Sequence, residues 1–296
     1  MMGRILFVVG SGIGNQAETI PALMLAKKKY GDIVDVCNTV PYAHFATKVL
    51  FGDLVANVMK VSDVNPSLYA HQIVTYMLYN DPVKGVRSMK RIKPGIKWSE
   101  VEYNMKIVEH PYTDEDFSNC GPAMSSIAPA EGVPDILIHN GYNKVKVGNP
   151  DKWKAKSYAR WPEVVERLRA KGLTVGCIGT DDEVVPNCEN LCGTPFTQSV
   201  AAIKACKMLL SNDTGTFHVA SVLGIPNVPI FTFTSRQKNF DKRFHRTTEL
   251  VVPDLPCSPC QHTSPRHWLK NRNICKWACR NISVDVVMQA VEKRLT

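Results

Sequence analysis

This sequence has no apolar run long enough to cross a bilayer, no internal repeat and no low-complexity tract. The first absence excludes an α-helical membrane span, and the others exclude a solenoid or a compositionally biased chain. The N-terminal apolar run, Ile5 to Val9, is too short for a signal peptide, so a cytoplasmic location is expected, with peripheral membrane contact left open. A complete dinucleotide fingerprint is also missing. Gly10-Ser11-Gly12-Ile13-Gly14-Asn15 follows that run, but Asn15 stands where the third glycine or alanine belongs. A nicotinamide oxidoreductase is therefore a remote alternative. Ten cysteines are present, yet without an extracellular context they do not read as a disulfide framework. Cys37, Cys177 and Cys206 lie in or beside apolar runs and read as buried thiols, and Cys188 and Cys192 lack a second pair nearby, so no metal is assigned to them.

What is present is enough for two ordinary domains: 296 residues, 44% hydrophobic and 21% charged. A formal charge of +9 points to an anionic partner. Its densest stretches are Lys84 to Lys97 and His262 to Arg280, which read equally as solvated loops or as docking sites for phosphorylated glycolipid or nucleic acid.

Strand and helix patterns alternate in both halves, the signature of parallel sheets. The first half reads as strand Ile5–Val9, the glycine turn with Gly12 and Gly14, a helix over 17–29, strands over 33–36 and 54–61, and an aromatic and basic region to Val108. Residues 112–134 carry Gly121, Pro122, Pro129, Gly132 and Pro134 with several serines, which is linker chemistry. The expected lobes are 1–125 and 134–296.

The stretch from Met208 to Thr234 organises the second half. Met208 to Leu210 are apolar, Ser211 to Gly215 form a tight turn, and Phe217, Val219, Ala220 and Leu223 mark a helix stopped by Gly224 and Pro226. A helix that starts at the carboxyl end of a strand turns its N–H groups and positive dipole end towards the crevice where such sheets bind ligands. The expected guest is a phosphate, with Thr214, Gly215 and Thr216 near it and His218 one turn on. A helix capped by Asp213 or Thr214 with nothing bound is the bland alternative.

Asp213-Thr214-Gly215-Thr216-Phe217-His218-Val219-Ala220, followed by Leu223-Gly224-Ile225-Pro226, resembles the donor-binding signature of glycosyltransferase family nine, the heptosyltransferases. The resemblance implies an α/β protein of GT-B type, with two Rossmann-like doubly wound lobes facing a central cleft. It implies inverting transfer of a sugar from a nucleotide diphosphate donor without a catalytic metal. Lys156 best matches the family's lysine on the donor phosphates, with Lys154 as fallback, and Thr234, Ser235 and Lys238 match the loop over the donor sugar. The family carries a Gly-Asp pair in the first turn, with the Asp as candidate base, whereas this chain has Gly14-Asn15. An amide takes no proton at neutral pH, so Glu18, three residues on, is the candidate base. Asp213 is expected to orient the turn rather than touch an anion.

Cys257-Ser258-Pro259-Cys260 and, after fourteen intervening residues, Cys275 to Cys279 fit a four-thiolate structural zinc or iron site at Cys257, Cys260, Cys275 and Cys279. His262 and His267 are spare donors. The resemblance extends to an iron-binding version of this loop in autotransporter heptosyltransferases. The donor is expected to be ADP-heptose or a similar nucleotide sugar, and the acceptor a saccharide of lipopolysaccharide type. A protein such as an autotransporter, or a hydroxylated base in DNA, are the alternative acceptors. A non-catalytic nucleotide-sugar binding protein is the rival from another class.

Overall fold

A computed structural model describes residues 3–10, 12–75, 82–89, 97–142, 154–261 and 277–295. The chain divides into two units, residues 1–127 with 240–246 and residues 128–239 with 247–296.

The first unit holds a parallel sheet ordered β3-β2-β1-β4, built from β1 (Arg4–Val9), β2 (Val34–Asn38), β3 (Val58–Lys60) and β4 (Tyr69–Val74). β1 is central and apolar, with Ile5 to Val9 all buried, as a strand covered on both faces requires. The helix expected over 17–29 is two helices, α1 (Ile13–Ala17) and α2 (Ile20–Tyr30). Pro21 explains the break: it has no N–H to give the Ala17 carbonyl and its ring crowds that position, so it is tolerated only in the first turn of a new helix. α3 (His44–Phe51) and α4 (Glu100–Ile107) follow. The strand expected over 54–61 is only Val58–Lys60. The returning segment 240–246 is fastened to α4 by Arg243 and Asp241. The Arg243 guanidinium donates to Glu102 and Asp241, both at 2.8 Å, and lies 3.7 Å from the Phe117 ring centre. Ser99 donates to Asp241 at 2.6 Å.

The second unit holds a parallel sheet ordered β7-β6-β5-β8-β9, from β5 (Ile136–His139), β6 (Val175–Cys177), β7 (Glu189–Asn190), β8 (Met208–Asn212) and β9 (Asn227–Ile230). Around it pack α5 (Trp161–Ala170), α6 (Phe196–Ala205), α7 (Gly215–Val222), the short α8 (Arg236–Asn239) and α9 (Val284–Leu295). α5 places Trp161, Val164, Val165 and Leu168 on one face, and α9 adds Val287, Met288 and Val291 to the same core. Each large apolar side chain sequestered this way contributes about 1.5–3 kcal/mol. Gly224 ends α7 at φ +71°, a left-handed conformation in which a side chain would be strained.

In an order of this kind the chain reverses direction between β5 and β8, so the loops after those two strands diverge and leave a crevice at their carboxyl ends. The equivalent reversal in the first unit lies between β1 and β4. Among the described residues no helix is long and apolar enough to cross a membrane.

Candidate donor site

The reversal in the second unit brings together the end of β5, His139-Asn140-Gly141, and the turn Asp213-Thr214-Gly215 after β8; His139 and Ser211 are register partners. Thr214 is the residue before α7, in extended conformation, and its side chain does not cap the helix. Its hydroxyl instead lies 2.8 Å from His139 Nδ1, 3.1 Å from the Thr216 hydroxyl and 3.3 Å from the Asn212 carbonyl. Asp213 does not cap the helix either. Its buried carboxylate accepts from Asn239 Nδ2 at 2.9 Å and sits 3.5 Å from Lys156 Nζ. Both residues that could have closed the helix start have partners elsewhere, so the first turn of α7 lacks the side-chain cap that the bland alternative requires.

Lys156 reaches this turn because Lys154–Lys156 form one helical turn ahead of α5. That turn is anchored from two sides: the Thr232 hydroxyl donates to the Ala155 carbonyl, and Arg280 Nε donates to the Ser157 carbonyl at 2.7 Å. The Asn212 side chain accepts from the Tyr158 N–H at 3.0 Å and donates to the Gly141 carbonyl at 3.0 Å, joining the three segments. Lys154 is exposed and has no comparable place, so Lys156 is the lysine of this site.

In the sequence His139 and Glu183 stand in two separate polar stretches, one after the apolar run 136–138 and one after 174–178. The structure makes them a pair: His139 Nε2 is 3.5 Å from Glu183 Oε2, both largely buried, and the Thr180 N–H holds Glu183 at 3.0 Å. Space for the pair is provided by two glycines. A Cβ on Gly141 would stand 2.4 Å from His139 Cε1, and one on Gly179, already at φ +142°, would stand 2.5 Å from Glu183 Oε2. Those glycines were the available signal, in the loops that follow β5 and β6.

His218 is buried on α7 beside Phe217. Thr234 and Ser235 are buried in the loop after β9, and the Thr234 hydroxyl has no hydrogen-bond partner among the described residues. Lys238 lies on α8 and is half-buried. The cysteine loop begins against this same segment. Ser235 N–H donates to Gln261 Oε1 at 2.8 Å, and Gln261 N–H donates to the Phe233 carbonyl at 3.1 Å. Cys279 is buried with Ala155 and Phe233, with Cys260 packed against them, and Cys257 is exposed. Cys275, His262 and His267 lie outside the described residues. Among the described residues Cys257, Cys260 and Cys279 do not close into one ligand set.

In the first unit Gly12 precedes α1, and Gly14 and Asn15 lie within it. Asn15 Nδ2 donates to Glu100 Oε1 at 2.7 Å, and Glu100 is wholly buried in the first turn of α4. Glu18 is also buried, at the end of α1 rather than on the face of a continuous helix.

Residues 149–268 match the model of glycosyltransferase family 9 (heptosyltransferase). The matched stretch holds Lys156, β8 and α7, so this likeness falls on the candidate donor site itself. The chain's fold is that of TibC, an iron-containing dodecameric glycosyltransferase from enterotoxigenic E. coli H10407 (TM-score 0.69, 15% identity, 99% of this chain and 76% of that one). E. coli ADP-heptose lipopolysaccharide heptosyltransferase II matches with TM-score 0.61 at 15% identity over 97% of this chain and 99% of that one. A family 9 glycosyltransferase from Veillonella parvula DSM 2008 matches with TM-score 0.62 at 13% identity over 99% and 97%. TibC has also been solved in complex with ADP-D-beta-D-heptose. At these identities the likeness speaks for the fold alone. No curated protein matches the sequence.

Proposed function

We propose that this chain is a glycosyltransferase that moves a heptose-like sugar from an ADP-linked donor to a hydroxyl of a lipopolysaccharide-type saccharide, with inversion, in the cytoplasm. The observation that carries the reading is the uncapped start of α7, with Lys156 held 3.5 Å from Asp213 beside it. The donor diphosphate lies on the first-turn N–H groups of Gly215 and Thr216 and against the Thr214 hydroxyl. Lys156 stabilises the charge that grows on the diphosphate as the anomeric C–O bond breaks, a role worth about 3–4 kcal/mol where such a donor is preorganised. Asp213 steers Lys156 without touching the donor, since a carboxylate against a diphosphate would repel it. Thr234, Ser235 and Lys238 line the sugar side, and His218 supplies a further donor. Glu18 takes the proton of the acceptor hydroxyl as it attacks the anomeric carbon. Asn15, tied to Glu100, positions the acceptor and does no proton transfer.

The cysteine loop fits a structural metal in chemistry: thiols suit zinc or iron, and Cys260 packs against the small cluster that contains Cys279. Cys257, Cys260, Cys275 and Cys279 would hold it. When bound it would staple the loop whose Gln261 braces Phe233 and Ser235, and no chemical step passes through it.

The test is mass spectrometry of reactions with a panel of nucleotide sugars and three acceptors: a lipopolysaccharide core saccharide, a protein and hydroxymethylated DNA. A heptose mass added to the saccharide is expected. Transfer to DNA or protein alone would replace the acceptor, and donor binding with neither transfer nor hydrolysis would make the chain a binding protein.

A further inference from the structure

Three cysteines outside the donor site converge at the edge of the second sheet. Cys177 ends β6, and Cys188 and Cys192 flank the edge strand β7. Cys177 is the register partner of Asn190, and the Leu191 N–H donates to the Cys177 carbonyl at 2.9 Å, so the chain beyond β7 runs on beside β6. That carries the Cys192 thiol to 3.8 Å from the Cys177 sulfur. Cys177 is buried, whereas Cys188 and Cys192 are half-buried and pack against the same core.

Two sulfurs in contact at the end of paired strands need only a closure of about 2 Å to bond, within the reach of side-chain rotation on an edge. The pair is also chemically unequal. The hydrogen bond from Cys188, outweighing burial and joined by those from Cys192 and nearby backbone, holds the Cys177 thiol below the ordinary thiol range, while burial pushes Cys192 up. The contact also has a direction: Cys192 donates its S–H to the Cys177 sulfur, which places Cys177 as the nucleophile and Cys192 as the proton-bearing partner.

We propose that Cys177 and Cys192 are a reversible two-electron redox site, closed to a disulfide by peroxide-class oxidants. The Cys177 sulfur attacks the O–O bond, giving a sulfenic acid and the reduced peroxide as water or alcohol. The Cys192 thiol then attacks that sulfur, the S–S bond forms, and the sulfenic oxygen leaves as water with the Cys192 proton. Two thiols lose two electrons and one peroxide bond gains them. Half-buried Cys192 and Cys188 provide the approach for so small an oxidant. The site is independent of how the donor binds.

The experiment treats the reduced, full-length protein with stoichiometric hydrogen peroxide, blocks free thiols by alkylation and maps peptides without reduction. One cross-linked pair containing Cys177 and Cys192 is expected, lighter by two hydrogens than the two thiol peptides and released by a thiol reductant. It disappears in Cys192→Ser, a near-isosteric change at a half-buried position, and persists in Cys188→Ser. A bridge through Cys188, a bridge between molecules, over-oxidation of single cysteines without a cross-link, or full alkylation after peroxide each overturn the proposal.

Discussion

The turn after β8 and the turn after β1 each lie at the carboxyl end of a parallel sheet, beside the point where strand order reverses, yet they are provisioned with opposite charge. The β8 turn draws its own acid aside: Asp213 is occupied by Lys156 and Asn239, Thr214 by His139, and the helix start carries no side-chain cap from Thr214. The β1 turn gathers acids instead. Glu18 closes α1, and Glu100 grips the amide of Asn15, where the resemblance leads one to expect a carboxylate. An uncapped helix start beside one lysine suits a diphosphate; a buried carboxylate at the end of α1 suits proton removal from a neutral hydroxyl. On the proposed reading, the acid that the resemblance leads one to expect at position 15 is replaced by Glu18 at the end of α1, with Glu100 of α4 holding Asn15.

The sharpest break of this comparison tests which acid matters. Glu18→Gln is expected to lower kcat by about 10²–10⁴-fold, the range for a lost general base, with donor affinity unchanged. Glu100→Gln should cost less, because it frees Asn15 without removing the base, and the loss should appear in KM for the acceptor. The reverse ranking would move the proton transfer to Glu100. On the other turn, Lys156→Met should lower kcat by about 10²–10³-fold and leave the acceptor KM alone. A drop confined to donor KM would make Lys156 a binding contact that does not strengthen in the transition state.

These contrasts show where the sequence is legible. The β8 turn can be read because its chemistry is local: strand, turn and helix lie within one short stretch, and its spacing fixes which groups face the crevice. Its partners cannot. His139 arrives from β5, Asn239 from α8, and Lys156 from a turn ahead of α5, contacts that depend on strand order rather than on neighbours in sequence. Gly141 and Gly179 hinted at a crowded pair without naming it. In the first half the helix expected over 17–29 overlooked Pro21, whose missing N–H splits it and leaves Glu18 at a helix end. Glu100, separated from Asn15 by a long stretch of chain, carried no signal at all. The return of 240–246 to the first unit is equally silent in the sequence, for a short segment between two loops has no periodicity to betray it.

Two smaller effects sharpen the division itself. If the four thiols hold zinc or iron, chelation should unfold the loop that braces Phe233 and Ser235, lowering the transition of the second unit by roughly 5–10 °C for a loss of about 2–3 kcal/mol. Donor affinity should fall with it, while the first unit's transition stays in place. Elemental analysis that finds no metal in the purified protein would sink this expectation.

The smallest effect belongs to the first unit alone. Burial pushes Asp241 up, but the hydrogen bonds from Arg243 and Ser99 outweigh it and hold the carboxyl below its ordinary range. A depressed folded value means that the contribution is fully present above the unfolded value of about 4 and is lost as pH falls through the lower folded one. Because Arg243 is partly exposed, screening trims the pair, and Arg243→Ala should cost about 1–3 kcal/mol. The midpoint of acid unfolding should rise in the variant, since Asp241 would then be protonated earlier on the way down. The second unit's transition should not move, because Arg243 fastens a segment to α4 and Phe117, all within the first unit. If both transitions shifted together, residues 240–246 would have to be a shared element of the two units rather than a strap belonging to one.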